Sequence, residues 1–70
     1  MNTLLFWNAA KLPLATAVQQ AAAVHRRRLG SQPTHVILPI GEYPAEVGGL
    51  KVETDKKVKG LFMQVYRGGE

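Results

Sequence analysis

The sequence contains no cysteine, so it can form neither a disulfide bond nor a zinc site with thiolate ligands. Its 70 residues suffice for one small domain, residues 1–70. Folding at this size buries only about 60% of the surface of the unfolded chain. Small folds usually add a disulfide, a metal or a partner subunit. Here a disulfide and a thiolate zinc site are excluded, and His25 and His35 could at most form part of a metal site. We therefore expect a homodimer. The absence of cysteine is compatible with a reducing compartment, and we expect the cytoplasm because neither a membrane span nor a signal peptide is predicted.

Long apolar runs are also absent, since none approaches the roughly 18–20 residues that span a bilayer. The triplet Ala15-Thr16-Ala17 is similar to a signal-peptide cleavage site. However, the apolar stretch Leu4–Trp7 before it is short and no basic segment precedes that stretch, so secretion is not expected. An alanine-rich helix face also lacks the bulky side chains that insert into a membrane surface. No membrane partner is predicted.

What the chain does contain is the pattern of one helix and several strands. Apolar and β-branched runs predict strands near residues 3–7, 34–38, 50–54 and 61–67. A helix is predicted at about residues 13–29, because Pro13 suits its first turn, Gly30 suits its C-terminal cap, and Pro33 prevents its continuation. The expected fold is a single small α+β domain. One long helix packs on a three- or four-stranded mixed or antiparallel sheet.

Two expectations concern strand pairing. The order strand, helix, strand over residues 3–38 is typical of a βαβ unit with parallel strands, although an antiparallel arrangement stays open. A polar connection joins the strands at 50–54 and 61–67, which predicts a hairpin with a long turn. The segment between Pro39 and Gly49 has two prolines and three glycines and is expected to be a loop or an extended edge segment.

The positions of apolar residues in the first strand and in the helix predict which faces are buried. The first strand is apolar on both sides, which predicts a central position in the sheet with both faces covered. In the helix, one face collects apolar residues and a histidine at about 100° per residue and is expected to be buried. Its members are Leu14, Ala17, Val18, Ala21, His25 and Leu29.

The charge is unevenly distributed along the chain. Nine basic residues exceed five acidic ones, and the excess of +4 belongs to residues 1–34, which contain no acid. Cations at a helix C-terminus interact favourably with its dipole, and lysines in a turn favour solubility. These interpretations are preferred, and contacts with DNA or RNA phosphates are the alternative. The candidate contacts are Arg26, Arg27, Arg28, Lys56, Lys57 and Lys59.

The last predicted strand agrees in part with the sheet motif of RNA-recognition domains. Lys59, Gly60 and Tyr66 match that motif. Leu61 and Met63 occupy the positions where the motif carries base-stacking rings, and the chain has one predicted helix instead of two. Membership of that family is therefore not predicted.

A weaker aromatic surface is still expected. Phe62 and Tyr66 share one face of their strand, with Gln64 between them. Such a surface is more often core or subunit interface than a platform for bases. Together with Trp7, these two aromatic residues are the predicted oligomer interface.

No residue set indicates catalysis. Glu42 and Glu46 fall in the segment rich in proline and glycine, and paired carboxylates need a deep cleft that so small a domain cannot easily form. His25 and His35 are expected to be packed or capping residues, and Ser31 lies in a turn after the helix. We predict no catalytic, cofactor or metal residues. The preferred function is a small non-enzymatic interaction or structural module that acts as a homo-oligomer, and nucleic-acid binding is the alternative.

Overall fold

A computed structural model describes residues 3–8 and 11–68, and the remainder of the predicted domain (residues 1, 2, 9, 10, 69 and 70) lies outside the described part. The described residues form one helix and five strands in a single mixed sheet of order β1-β5-β2-β4-β3. The elements are β1 (Leu4–Trp7), α1 (Leu14–Leu29), β2 (His35–Leu38), β3 (Glu46–Val47), β4 (Leu50–Thr54) and β5 (Phe62–Tyr66). The predicted α+β class, its helix and its four strands are confirmed. The two-residue strand β3 is a fifth, within the segment expected to be a loop or an edge.

Helix α1 has the boundaries that proline and glycine predict. It follows Pro13 and ends at Gly30, which adopts a left-handed conformation with φ 75°. The Gly30 N–H donates a hydrogen bond to the Arg26 carbonyl oxygen at 2.9 Å. Five residues of the helix are buried against the sheet, and three of them are alanines that allow close approach. They are Ala17, Val18, Ala21, Ala22 and His25.

Leu29 was expected on the buried face of the helix, and this prediction is wrong because 41% of the residue is exposed. The 16 residues of α1 span about 24 Å at 1.5 Å per residue. Strands of four or five residues span only about 15 Å. The helix is therefore longer than the sheet that it covers, and its last turn extends past the core.

Strand β5 separates the two strands that α1 connects. It pairs antiparallel with β1 on one side, where Leu4 lies opposite Val65, and antiparallel with β2 on the other, where Val36 lies opposite the same Val65. Strands β1 and β2 therefore run in the same direction, as the βαβ pattern predicts. They are not neighbours, because β5 lies between them.

The predicted hairpin between residues 50–54 and 61–67 is wrong. Strand β4 pairs with β2 in parallel and with β3 in antiparallel orientation, and it does not pair with β5. The chain after β4 instead crosses the end of β2, where the Asp55 N–H donates to the Leu38 carbonyl oxygen at 3.0 Å. The hairpin that does form joins β3 to β4. Gly48 and Gly49 form its two-residue turn, with φ 61° and 84°, the positive values that a type I′ turn requires.

Among the described residues, helix α1 covers one face of the sheet and no helix covers the other. The core lies between α1 and the side chains of Val36, Leu38, Val47, Leu50, Met63 and Val65. The opposite face, called the open face below, carries the alternate residues Leu5, Trp7, His35, Ile37, Lys51, Glu53, Phe62, Gln64 and Tyr66.

The expectation that the first strand is central is also wrong, because β1 is an edge of the sheet. Its two apolar faces have different environments. Leu4 and Phe6 pack against the core, whereas Leu5 is 58% exposed and Trp7 60% exposed on the open face. No helix in the part of the chain that the structure describes combines the length and apolarity needed to cross a membrane.

Candidate functional site

An exposed pair of aromatic rings lies on the open face at the β1 side of the sheet. Trp7 on β1 is directly opposite Phe62 on β5. Their ring centroids are 6.0 Å apart, and the ring planes are nearly parallel at 19°. Phe62 is 41% exposed and Trp7 still more. Two of the three predicted interface residues are thus brought together on an accessible surface.

Tyr66, the third predicted interface residue, is held at the other end of β5. Its ring stacks on His35 of β2, with centroids 4.8 Å apart and an interplanar angle of 14°. Its hydroxyl crosses β2 and donates a hydrogen bond to the Glu53 carboxylate at 2.6 Å. This bond is the largest reason that the pKa of Tyr66 rises to about 12, and desolvation and the negative charge of Glu53 act in the same direction. Tyr66 is half-buried and already has partners within the sheet.

A cleft of about 250 Å³ lies beside the exposed ring pair. We call it the lysine cleft, and its lining residues are Leu5, Lys57, Val58, Lys59, Phe62 and Gln64. Two of these six side chains carry an ammonium group and none carries a carboxylate. Sequence reasoning missed this arrangement, because Leu5 and Lys59 become neighbours only through the pairing of β1 with β5.

The connection between β4 and β5 positions the lysines of the cleft. Val58 is buried and fixes the middle of the connection to the domain. Its N–H donates to the Asp55 carbonyl oxygen at 3.0 Å, and the Lys57 N–H donates to the Asp55 carboxylate at 2.9 Å. Lys57 and Lys59 flank Val58 and are both exposed. The backbone is therefore held while the two lysine side chains reach solvent.

The six basic residues considered for nucleic-acid contacts do not form one patch. Helix α1 ends where β2 begins, whereas the connection between β4 and β5 lies where β2 and β4 end. The two clusters are therefore at opposite ends of the sheet, and α1 packs on the face opposite to the open face. Arg26 donates a hydrogen bond to the Gln32 side chain at 3.4 Å. The arginines and the lysines are separate surfaces.

A second cavity, of about 170 Å³, lies near the start of α1. The amide of Asn8, one of its lining residues, donates to the Leu12 carbonyl oxygen and accepts from the Leu12 N–H, both at 3.0 Å. The hydroxyl of Tyr43, which also lines it, donates to the Pro39 carbonyl oxygen at 2.8 Å. These polar groups are used within the fold, so the cavity presents mainly apolar side chains to a ligand.

The histidines and the loop carboxylates lie in different places. His25 is fully buried, as expected of a packed histidine, and its Nδ1 lies 2.8 Å from the Ser31 carbonyl oxygen. The Nδ1 of His35 lies 2.6 Å from the Thr34 hydroxyl. Glu42 is exposed, and Glu46 of β3 is paired in register with Lys51. Within residues 3–8 and 11–68, no three histidine or carboxylate side chains are grouped to hold a metal ion.

Comparison of the chain with protein-family models, with curated proteins and with solved structures finds no match. Three surface features of the described residues are candidates for binding a partner. These are the exposed ring pair, the lysine cleft and the outer edge of β1.

Proposed function

We propose that the protein is a small non-enzymatic interaction module that works as a homodimer, in which two copies join along β1. The observation that carries the proposal is the outer edge of β1, which no strand of the described residues covers. An uncovered edge presents backbone donors and acceptors that another strand can pair with. In keeping with a chain that has no cysteine, we place this module in the cytoplasm.

The direction of the backbone groups in β1 supports this contact. In an antiparallel pair, the N–H and C=O groups of successive residues point alternately toward the partner strand and away from it. The Asn8 N–H donates to the Leu61 carbonyl oxygen at 2.9 Å, so Asn8 points toward β5. By alternation, the backbone groups of Leu5 and Trp7 point outward. A two-fold axis midway between β1 and the β1 of a second copy would let these groups pair with the same groups of that copy.

The side chains of β1 are compatible with such pairing. The strand contains no proline and no charged residue, which are the usual means of protecting an edge. A two-fold axis perpendicular to the sheet would keep both helices on one side and both open faces on the other. Trp7 would then lie at the junction with Phe62 stacked behind it, whereas Tyr66 would lie farther away.

The variant Leu5→Pro tests this proposal. Proline removes the outward N–H of residue 5 and leaves the N–H groups that point toward β5 in place. We expect sedimentation velocity to show a dimer for the unmodified protein and a monomer for Leu5→Pro, with the same circular dichroism. Leu5→Thr is the matched control, because it shortens the same side chain but keeps the N–H and a high strand propensity. It should remain dimeric.

Two results would contradict the proposal. The first is a monomeric unmodified protein at about 100 µM, a concentration that populates even a dimer with a Kd of about 10 µM. The second is a Leu5→Pro variant that dimerises as well as Leu5→Thr.

A further inference from the structure

The lysine cleft combines positive charge with an exposed aromatic surface. Lys57 and Lys59 line it, and Phe62 belongs both to the cleft and to the ring pair with Trp7. We propose that this part of the open face binds single-stranded nucleic acid. In this proposal Phe62 and Trp7 contact base rings, and the two lysines contact the backbone phosphates. The proposal goes beyond self-association and does not depend on it.

The electrostatics of the cleft favour an anionic ligand. No carboxylate lines it. Of the acidic groups nearest along the chain, Asp55 accepts the Lys57 backbone N–H, and Glu53 accepts the Tyr66 hydroxyl toward the other end of β5. The charged groups that line the cleft are the ammonium groups of Lys57 and Lys59. Phosphate contacts of this kind provide most of the sequence-independent affinity for nucleic acids.

The exposed rings favour bases over a purely charged ligand. Stacking of a base on an aromatic side chain changes affinity by about five- to 150-fold, and every base offers a flat face for it. Gln64 lies beside Phe62 on the open face and supplies an amide that can donate and accept hydrogen bonds. An acidic peptide would satisfy the lysines but not the rings. Bases within a duplex stack on one another and do not offer their faces to a protein. Aromatic rings on a sheet therefore stack on the bases of a single strand.

The size and shape of the cleft favour one unit of a chain over an enclosed small molecule. Its volume of about 250 Å³ lies below the range of roughly 300–1,000 Å³ typical of small-molecule pockets. It is bordered by the connection that carries the lysines and by the exposed ring pair. A ligand that continues beyond the cleft, along the open face, fits this geometry.

The arginines at the end of α1 provide a matched control for charge. Two double variants each remove two positive charges and lower the net charge from +4 to +2. The lysine double variant is Lys57→Gln with Lys59→Gln, and the arginine double variant is Arg27→Gln with Arg28→Gln. Only the lysine double variant changes the cleft. Fluorescence anisotropy with labelled twelve-nucleotide RNA, DNA of the same sequence and the corresponding DNA duplex measures the affinities at about 50 to 200 mM salt.

We expect the unmodified protein to bind a single strand more tightly than the duplex. For two phosphate contacts, log K should fall against log salt with a slope of about −1.4. The lysine double variant should bind about tenfold or more weakly, and its affinity should depend much less on salt. The arginine double variant should bind within about twofold of the unmodified protein. Phe62→Leu should lose about tenfold through the missing ring, with the salt slope unchanged. Binding of either RNA or DNA supports the proposal, and the tighter one identifies the preferred sugar.

Three results would overturn the proposal: no binding at about 50 mM salt, equal losses in the two double variants, or tighter binding of the duplex. Equal losses would mean that net charge alone attracts the ligand. Sedimentation velocity of the variant with both lysines replaced, without nucleic acid, shows whether that variant still dimerises. A failure to bind is thereby distinguished from a failure to self-associate.

Discussion

The two edges of the sheet differ in length, charge and support. Strand β1 has four residues, none of them charged, and its outer backbone groups have no partner strand among the described residues. Strand β3 has two residues, one of them the exposed Glu46, and it ends directly in the turn at Gly48 and Gly49. A second strand can pair along β1, whereas β3 is too short to guide one. In the proposed homodimer, this difference favours β1 over β3 as the edge along which two copies pair.

The two sides of the sheet also make different contacts with the rest of the domain. The turn approaches α1 so closely that a Cβ atom at Gly48 would lie 3.1 Å from the Cγ1 of Val18. On the open face, the bond between Tyr66 and Glu53 connects β5 to β4 across β2. On the β1 side, by contrast, the outermost contact is the exposed stack of Trp7 on Phe62.

The largest effect is expected from a proline on the inner side of β1. The backbone N–H of Phe6 points toward β5, and its side chain packs against the core. Phe6→Pro therefore removes a hydrogen bond between β1 and β5. It should lower the free energy of unfolding by about 3 kcal/mol or more. Urea unfolding at one protein concentration measures this loss, and Phe6→Ala separates the contribution of the ring. If Leu5→Pro were equally destabilising, the assignment of inward and outward residues in β1 would be wrong.

A smaller effect is expected at the turn beside β3. Gly48→Ala places a Cβ in a left-handed residue against Val18 and Gln19 and should lower the free energy of unfolding by about 2 kcal/mol. Gly49→Ala is the control, since its φ is also positive but nothing lies within 4 Å of the added carbon. It should cost about 1 kcal/mol, the backbone strain alone. Equal losses in urea unfolding would show that the turn does not pack on α1.

The smallest effect is expected from Tyr66→Phe, which removes the hydrogen bond to Glu53. Because both groups reach solvent, the loss should be about 0.5 kcal/mol at neutral pH. The folded pKa of Tyr66, about 12, is above the usual 10.0, so the phenol stabilises the fold fully below pH 10.

This stabilisation should disappear as the pH rises toward 12. Between pH 10 and pH 12, the free energy of unfolding should therefore fall more for the unmodified protein than for Tyr66→Phe. The same pH dependence in both proteins would argue against this hydrogen bond in solution.

Signals that act within a few residues predicted the elements of this fold correctly. Pro13 and Gly30 mark the two ends of α1 because each acts on its own backbone dihedrals. The alternation of side chains in β1 and β5 predicted which residues share a face, because the period of two is a property of a single strand. These signals act within one helix or one strand and do not depend on which strands pair.

The pairing of the strands could not be predicted in the same way. Alternation in residues 50–54 and 61–67 indicates two strands but contains nothing about β2, which lies between them in the sheet. The apolar residues of β1 fit an edge that leaves Trp7 exposed as well as they fit a central strand. Strand β3 is too short to produce a periodic pattern. The lysine cleft depends on these pairings, so it became visible only in three dimensions.

The place of β5 in the sheet has a consequence for how the domain is made. During synthesis, β1 leaves the ribosome long before β5, yet β5 is the strand that β1 pairs with. Until residues 62–66 have been added, β1 has no neighbour, and only β2, β4 and β3 can associate. Contacts between such distant residues slow folding, so we expect the domain to form late and in one cooperative step. A nascent chain released before Phe62 would expose Leu4 and Phe6, which pack against the core in the complete domain, together with the unpaired edge of β2.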